Sequence, residues 1–287
     1  MALGGTELEP GGCFDGRGPL MQMLDLPTGR LAYWTEGNGP PLLFIHGVGT
    51  TGEIWFRDLQ PLASSYRLIA YNRRGYGESS EPPSEWLGHR DDAIALLAKL
   101  GIEKAAVVGY SAGATVALDL ALHKPELVSS LVLLDGAVNI KKCATPGMIK
   151  ALLIAQIKRR LRGDRAGAEH WIRYVASYST GGTAFDKAPA ERRETILANA
   201  RGMFADGSAA RHAIDESRLA SLPMPVAIVD AKLSPPFLRK SSDRLRRAIP
   251  KARCMTIEKA GHHIVLDARE ELLATLRDVL SAKRDAA

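Results

Sequence analysis

Short apolar runs alternate with longer segments of helical periodicity along most of the chain. Eight runs of four or five residues, rich in aliphatic and aromatic side chains, predict strands. These runs lie at residues 22–26, 31–35, 42–45, 68–71, 105–108, 131–134, 226–229 and 254–257. Segments of helical periodicity lie at residues 85–100, 112–123, 241–249 and 269–282. Strands that alternate with helices favour a mostly parallel eight-stranded sheet with helices on both faces.

The strand rhythm stops between the sixth and seventh runs, where three helical segments follow one another. The first, at residues 148–161, has an apolar stripe and a basic opposite face. Its apolar residues are Ile149, Leu152, Leu153, Ile157 and Leu161, and its basic residues are Lys158, Arg159, Arg160 and Arg162. The second stripe contains Trp171, Tyr174, Val175 and Tyr178. A third helix is predicted at 190–204, so the stretch is interpreted as a helical cap inserted after strand 6.

These patterns divide the chain into a flexible leader at residues 1–20, a sheet domain at 21–137 and 223–287, and a helical cap at 138–222. Apolar residues make up 46% of the 287 residues and charged residues 24%, which excludes disorder, collagen and coiled coil as global descriptions. No apolar run approaches the ~18 residues of a membrane helix, and the N-terminus lacks the features of a secretory signal. We therefore expect a cytoplasmic protein without integral membrane association.

The formal net charge of +6 is concentrated in the predicted cap. Residues 138–222 hold 15 Lys and Arg against 8 Asp and Glu, whereas the rest of the chain is nearly neutral. A basic segment suits an acidic substrate or a membrane surface, although a solvated face is its more common explanation. Basic and aromatic residues do not interleave as in nucleic-acid-binding segments, so we expect no nucleic acid partner. An oligomer is compatible with the sequence but is not predicted by it.

Ser111 is the candidate nucleophile, within Gly109-Tyr110-Ser111-Ala112-Gly113. The pattern G-x-S-x-G is weak by itself, but here a predicted strand precedes it and a predicted helix follows it. This order is that of a nucleophile elbow, a turn so sharp that a Cβ at either glycine would collide with neighbouring backbone. The alternative is an ordinary turn in which the serine caps the helix. The context favours the elbow.

His262 is the candidate base that a serine nucleophile requires, because it follows the last predicted strand and precedes the last helix. That loop is expected at the same edge of the sheet as the elbow. Its neighbour His263 is expected to point elsewhere. None of the seven histidines shows a zinc-ligand spacing, so we expect neither a metal ion nor a cofactor.

Two backbone N–H groups are candidates for stabilising a developing oxyanion. One belongs to Val48, in the His46-Gly47-Val48-Gly49 turn after the third strand. The other belongs to Ala112, at the start of the helix that follows the elbow. His46 itself is expected to brace the turn.

Together these motifs resemble the α/β-hydrolase superfamily over residues 22–282. His46-Gly47 resembles its oxyanion turn, and the loop Asn72-Arg73-Arg74-Gly75-Tyr76-Gly77-Glu78-Ser79 resembles one that usually reads D-x-R-G-x-G-x-S. The elbow and Ala260-Gly261-His262 match in the same order along the chain. The resemblance implies an α/β-hydrolase fold, with a cap after the sixth strand, but it leaves the substrate open because this fold hosts many reactions.

The third member of the triad departs from the family pattern. Relatives place a carboxylate nine residues after the proline that corresponds to Pro225, and here that residue is Ser234. Asp135, at the end of the sixth strand, occupies a place where some relatives carry their acid, and we predict that it fills the role. Asp230 is its rival, and a histidine without a carboxylate partner is the third alternative.

These residues predict a serine hydrolase that acts on a carboxylic ester or lactone, a small molecule, through an acyl-enzyme. The aromatic stripe of the predicted cap either lines the substrate pocket or serves only core packing. C–C bond hydrolysis and cofactor-free perhydrolase (haloperoxidase) chemistry are the enzymatic alternatives. A ligand-binding receptor with little turnover is the alternative of another class, favoured only by the missing carboxylate at Ser234.

Overall fold

Eight strands form one sheet in the computed structural model, which describes residues 19–206 and 212–281. The strands are β1 (Gln22–Leu26), β2 (Gly29–Glu36), β3 (Pro41–Ile45), β4 (Arg67–Tyr71), β5 (Ala105–Tyr110), β6 (Val128–Leu134), β7 (Val226–Ala231) and β8 (Arg253–Ile257). Their order across the sheet is β1-β2-β4-β3-β5-β6-β7-β8. The predicted leader lies outside the described residues, apart from its last two.

The sheet is parallel except at one edge. Strand β2 runs antiparallel to both β1 and β4, and all later pairs are parallel, with Ile45 opposite Gly109 and Gly109 opposite Leu133. Because parallel strands end at the same edge, the segments that follow β3, β5, β6, β7 and β8 meet there. The predicted mostly parallel eight-stranded sheet is confirmed.

Helices cover both faces of the sheet. They are α1 (Glu53–Leu59), α2 (Gly88–Lys99), α3 (Ala112–His123), α4 (Pro146–Arg162), α5 (Asp164–Val175), α6 (Ala184–Lys187), α7 (Ala190–Ala198), α8 (Ala200–Ala205), α9 (Pro236–Ala248), α10 (Ile264–Asp267) and α11 (Arg269–Ser281). Helices α2, α3 and α9 bury side chains such as Leu96 and Val116 against one face. On the other face, α1 and α11 bury Trp55 and Leu276.

Helices α4 to α8, which we call the helical insertion, occupy the connection from β6 to β7. The single helix predicted at 190–204 is wrong, because α7 ends and α8 begins around Asn199. The Asn199 side chain accepts the N–H of Gly77 at 2.8 Å, and a Cβ on Gly202 would lie 1.9 Å from the Gly75 carbonyl oxygen. The helix is therefore interrupted where Asn199 and Gly202 come close to the loop after β4. The division into core and cap domains stays a prediction.

Helix α4 leaves most of its predicted apolar stripe exposed and buries a different face. Met148, Ala151 and Ala155 are buried, and a Cβ on Gly167 of α5 would lie 2.6 Å from the Ala155 carbonyl oxygen. The backbones of the two helices thus approach closely, and this contact selects the buried face of α4. Four residues of the stripe are exposed: Ile149 (51%), Leu153 (60%), Ile157 (57%) and Leu161 (76%).

Within residues 19–206 and 212–281, no helix has both the length and the apolar character that a transmembrane helix requires.

Candidate active site

Ser111 lies at the tip of a strained turn between β5 and α3. Its backbone has φ 54° and ψ −121°, a conformation that a non-glycine residue rarely adopts. A Cβ on Gly109 would lie 2.6 Å from the Gly113 carbonyl oxygen, and one on Gly113 would lie 2.2 Å from the Ile45 carbonyl oxygen. Only glycine fits these two positions, so the flanking glycines let the elbow pack against β3.

His262 faces Ser111 from the loop between β8 and α10. Its Nε2 lies 3.0 Å from Ser111 Oγ. Tyr110 holds the histidine from one side, since its ring stacks on the imidazole with centroids 5.0 Å apart and its hydroxyl donates to the His262 carbonyl oxygen at 2.8 Å. The imidazole is 3% exposed. The residue beside the serine in the elbow therefore also orients the histidine.

Asp135 meets the other side of the imidazole. Its Oδ2 lies 2.6 Å from His262 Nδ1 and also accepts the Ser234 hydroxyl at 2.7 Å. Asp135 has φ 42° and donates its own N–H to the Val229 carbonyl oxygen, which anchors the residue where β6 ends. Ser234, at the position where relatives place their acid, thus donates a hydrogen bond to Asp135.

Asp230, the rival acid, is engaged on the far side of β7. Its Oδ1 accepts the Thr256 hydroxyl at 2.7 Å, and its Oδ2 pairs with Arg246 at 2.6 Å. Burial raises the pKa of this carboxyl even though Thr256 and Arg246 both lower it. Asp135 rather than Asp230 is therefore the carboxylate at His262 in this structure.

The two predicted oxyanion donors flank Ser111. A Cβ on Gly47 would lie 2.8 Å from Ser111 Cβ, so the turn that carries Val48 lies directly against the serine. Ala112 is the first residue of α3, and its N–H therefore has no partner inside the helix. Ala112 and the turn that carries Val48 thus adjoin Ser111, and the role of their N–H groups as oxyanion donors stays a prediction.

His46 braces this turn through both of its ring nitrogens. Its Nδ1–H donates to the Gly47 carbonyl oxygen at 2.7 Å, and its Nε2 accepts the Arg73 N–H at 2.8 Å. Burial and the Arg73 charge hold the pKa of His46 well below its usual value, so the ring is neutral. The imidazole thus fixes the turn by hydrogen bonds and not by charge.

Arg73, which the sequence analysis did not single out, ties the turn to the helical insertion. Its guanidinium is fully buried, donates from Nε to the His46 carbonyl oxygen at 3.1 Å and pairs with Asp206 at 2.8 Å. Asp206 also accepts from the Tyr76 hydroxyl and from His89 Nε2. Burial opposes ionisation of Asp206, but Arg73 and His89 hold its pKa below the usual range. In the sequence, two consecutive arginines, Arg73 and Arg74, after β4 are the feature that could have pointed to this role.

Apolar side chains of the helical insertion cover the turn beside Ser111. A Cβ on Gly49 would lie within 3.2–3.4 Å of Ile172, Met203 and Ile196. Ser111 is only 7% exposed as a result. A groove between α1, α7 and α10 is lined by residues adjacent to the site, including Tyr110 and His263, but not by Ser111 or His262 themselves.

The predicted aromatic stripe, which runs from α5 to Tyr178 just beyond its end, contributes mainly to packing. Trp171 and Tyr174 stack on each other, and both rings lie within 6.2 Å of Phe237 in α9. Tyr178 packs on Gly261, where a Cβ would lie 2.8 Å from its ring, and donates its hydroxyl to Asp267 at 2.6 Å. The ring thereby supports the loop that carries His262.

Comparisons with known proteins agree with this architecture. Residues 40–268 match a family model described as the alpha/beta hydrolase fold. The chain is 27% identical over 253 residues to a pimeloyl-[acyl-carrier protein] methyl ester esterase of Aliivibrio salmonicida, covering 86% of this chain and 95% of that protein. It is 30% identical over 261 residues to a candidate non-heme bromoperoxidase of Mycobacterium tuberculosis, covering 81% and 90%.

A solved structure gives the same result at the level of the fold. The thermophilic esterase from Thermogutta terrifontis superposes with a TM-score of 0.75 at 25% identity, covering 91% of this chain and 98% of that one. The family model spans most of the sheet, the elbow and the histidine loop. The resemblance seen in the sequence is confirmed: the chain belongs to the alpha/beta hydrolase family.

Proposed function

We propose that the protein is a serine hydrolase that cleaves carboxylic esters or lactones through an acyl-enzyme on Ser111. The observation that carries the proposal is the chain of contacts from Ser111 Oγ to His262 Nε2 at 3.0 Å and from His262 Nδ1 to Asp135 Oδ2 at 2.6 Å. These are the distances at which a base can take the proton of a nucleophile while a carboxylate orients it.

In the acylation step, Ser111 Oγ attacks the ester carbonyl carbon and His262 Nε2 takes the hydroxyl proton. The carboxylate of Asp135 keeps a proton on Nδ1, so that Nε2 is free to accept, and stabilises the imidazolium that forms. The N–H groups of Val48 and Ala112 stabilise the oxyanion of the tetrahedral intermediate. His262 then protonates the leaving alkoxide as the carbon–oxygen bond breaks.

Deacylation repeats these roles with water. His262 takes a proton from the water that attacks the acyl carbon, and it returns a proton to Ser111 Oγ when the carboxylic acid leaves. A lactone gives a single hydroxy acid, since its leaving alcohol stays attached to the acyl group throughout the reaction. The apolar side chains over Gly49 favour a compact neutral substrate, and the esterase relatives support ester cleavage.

A fluorophosphonate probe tests the nucleophile, because it reacts covalently only with an activated serine. We expect the intact protein to be labelled at Ser111 and to hydrolyse some members of a panel of short- to long-chain activated esters and lactones. The Ser111→Ala protein should remain folded, lose labelling and lose about 10⁴-fold or more in kcat/KM.

A matched control is Ser130→Ala, which removes a buried serine from β6 away from the elbow. This protein should label and turn over like the parent. A Ser111→Ala protein that keeps a tenth of the parent activity would refute the assignment. An unlabelled parent that turns over no ester would favour the receptor alternative, which the carboxylate at His262 now argues against.

Perhydrolase chemistry is a second candidate, favoured by the similarity to the candidate bromoperoxidase. In that reaction hydrogen peroxide, instead of water, attacks the acyl-enzyme and a peracid leaves Ser111. Adding peroxide and a short carboxylic acid to the same assay distinguishes the two. Peracid formation faster than ester hydrolysis would assign the second reaction.

A further inference from the structure

The four exposed residues Ile149, Leu153, Ile157 and Leu161 form an apolar row that winds across the exposed face of α4. They recur every fourth residue and are between 51% and 76% exposed. At a rise of ~1.5 Å per residue, the row is roughly 18 Å long. With Leu20, Met21 and Met23 near the N-terminus, they are the only large apolar side chains that stand exposed within the described residues. A continuous apolar row of this kind marks an interaction surface.

The charged residues of α4 itself are all basic. Helix α4 contains five basic residues, Lys150, Lys158, Arg159, Arg160 and Arg162, and no acidic residue. Arg159 pairs with Asp164. Across residues 19–206 and 212–281, no ion pair within 4.0 Å engages the other four basic residues. The surface around the row therefore attracts anions.

A second copy of this chain is a poor occupant for the row. Two copies joined along α4 would bring ten basic side chains together without an acidic residue from either helix. Four side chains also supply far less than the ~800 Å² per partner of a standard interface. A partner with an anionic surface and an apolar interior can bind both the apolar row and the basic side chains.

We propose that α4 lies in the headgroup region of an anionic lipid surface, with the apolar row inserted and the basic side chains on the lipid phosphates. An amphipathic helix with a basic polar face binds lipid in this way, parallel to the surface. Lys and Arg reach the headgroups by extending their charged ends from apolar stems. The helix lies on the surface and does not cross the bilayer.

This placement brings the lipid to the outer face of the helical insertion that covers the candidate active site. Helix α4 packs on α5, and α5 contributes Ile172, which covers Gly49 beside Ser111. Apolar esters that partition into lipid would therefore be concentrated near the helical insertion. The binding itself does not depend on the proposed hydrolysis, because no residue of the row belongs to the catalytic group.

The test measures co-flotation of the full chain with two kinds of vesicle, one of phosphatidylcholine alone and one with about 30% phosphatidylglycerol. We expect binding to the anionic vesicles that weakens as salt is raised, and much weaker binding to the neutral ones. Leu153→Ser with Ile157→Ser should weaken binding to the anionic vesicles at least tenfold, because both side chains insert. Lys150→Gln with Arg160→Gln should weaken it about fivefold for each charge removed.

Lys99→Gln with Arg277→Gln is the charge-matched control, since these exposed residues lie on α2 and α11. It should bind like the parent. All variants should keep the parent melting temperature, because the changed side chains are already exposed. Absence of binding to anionic vesicles, or equal weakening in the control, would overturn the proposal. A dimer in light scattering that dissociates in the Leu153→Ser, Ile157→Ser protein without any vesicle binding would instead assign the row to self-association.

Discussion

One carboxylate oxygen of Asp135 accepts hydrogen bonds from the His262 imidazole and from the Ser234 hydroxyl. This arrangement makes Asp135 the acid of the proposed triad. Replacing it by Asn keeps the shape but offers Nδ1 a different hydrogen-bonding partner, which favours the wrong imidazole tautomer. We expect Asp135→Asn to lower kcat about 10⁴-fold on the best ester of the panel. Asp230→Asn is the matched control and should have a mild effect, since Asp230 contacts Thr256 and Arg246. The reverse order would transfer the role to Asp230.

Ser234 supplies a hydrogen bond where relatives place the acid itself. Removing this hydroxyl leaves the Asp135 carboxylate less well held and the imidazolium less stabilised, but it keeps the charge. We expect Ser234→Ala to lower kcat about tenfold with little change in KM, the size of one hydrogen bond to a charged group.

Ser242→Ala is the control for that prediction. Its hydroxyl is equally buried and has no hydrogen-bond partner among the residues that the structure describes. In steady-state kinetics, the kcat and KM of this protein should match those of the parent. A Ser234→Ala protein with parental kcat would mean that Asp135 is positioned by the backbone of β6 and β7 alone.

At the scale of the element, the elbow depends on how closely α3 approaches β3. A methyl group on Gly113 would lie 2.2 Å from the Ile45 carbonyl oxygen and 2.7 Å from that of His46. Both atoms belong to backbone that cannot move without displacing the oxyanion turn. We expect Gly113→Ala to lower the free energy of unfolding by about 3 kcal/mol in urea titration.

Gly147→Ala is the paired control for this prediction. Gly147 lies in the first turn of α4, and the nearest atom to an added methyl group is the Tyr174 hydroxyl oxygen at 3.5 Å. The substitution should be neutral or stabilising by up to ~1 kcal/mol, because alanine restricts the unfolded chain. If the two substitutions changed the free energy of unfolding equally, the elbow would tolerate a larger distance between α3 and β3.

At the scale of the whole molecule, acid sensitivity follows from three buried histidines. Burial lowers the pKa of His46 and His89, helped by Arg73, and lowers the pKa of His263 to about 3. Unfolding restores a pKa of about 6.5, so below that pH the unfolded chain binds protons that the folded chain does not. The free energy of unfolding therefore falls as the pH falls, by roughly 1.4 kcal/mol for His263 between pH 7.5 and 5.5.

Asp206 adds to this loss in stronger acid. Its pKa is lowered in the folded state, so its stabilising contribution is complete above the unfolded pKa of about 3.9 and is lost as the pH falls further. Urea titration at pH 7.5 and 5.5 isolates the histidine contribution. We expect His263→Gln to remove that histidine's share of the pH dependence. A His263→Gln protein with the pH dependence of the parent would contradict the assignment.

The sequence by itself determined those elements whose formation depends on residues close together along the chain. Strand positions, the helix after Ser111 and the connection between β6 and β7 follow from apolar periodicity and glycine placement, which act over a few residues. The carboxyl ends of parallel strands meet at one edge, so the candidate residues Ser111 and His262 could also be placed together before any coordinates. The short helices α1, α6 and α10 were missed because four to seven residues carry too little periodicity.

The tertiary structure alone decided three matters. Asp135 and Asp230 lie at the ends of neighbouring strands, and only the left-handed backbone of Asp135 turns its carboxylate to His262. The apolar stripe predicted for α4 is mostly exposed, because the close contact of Ala155 with Gly167 buries another face of the helix. Arg73 meets Asp206 across 133 positions of sequence. Each outcome depends on contacts between distant segments, and local patterns do not encode the distance between them.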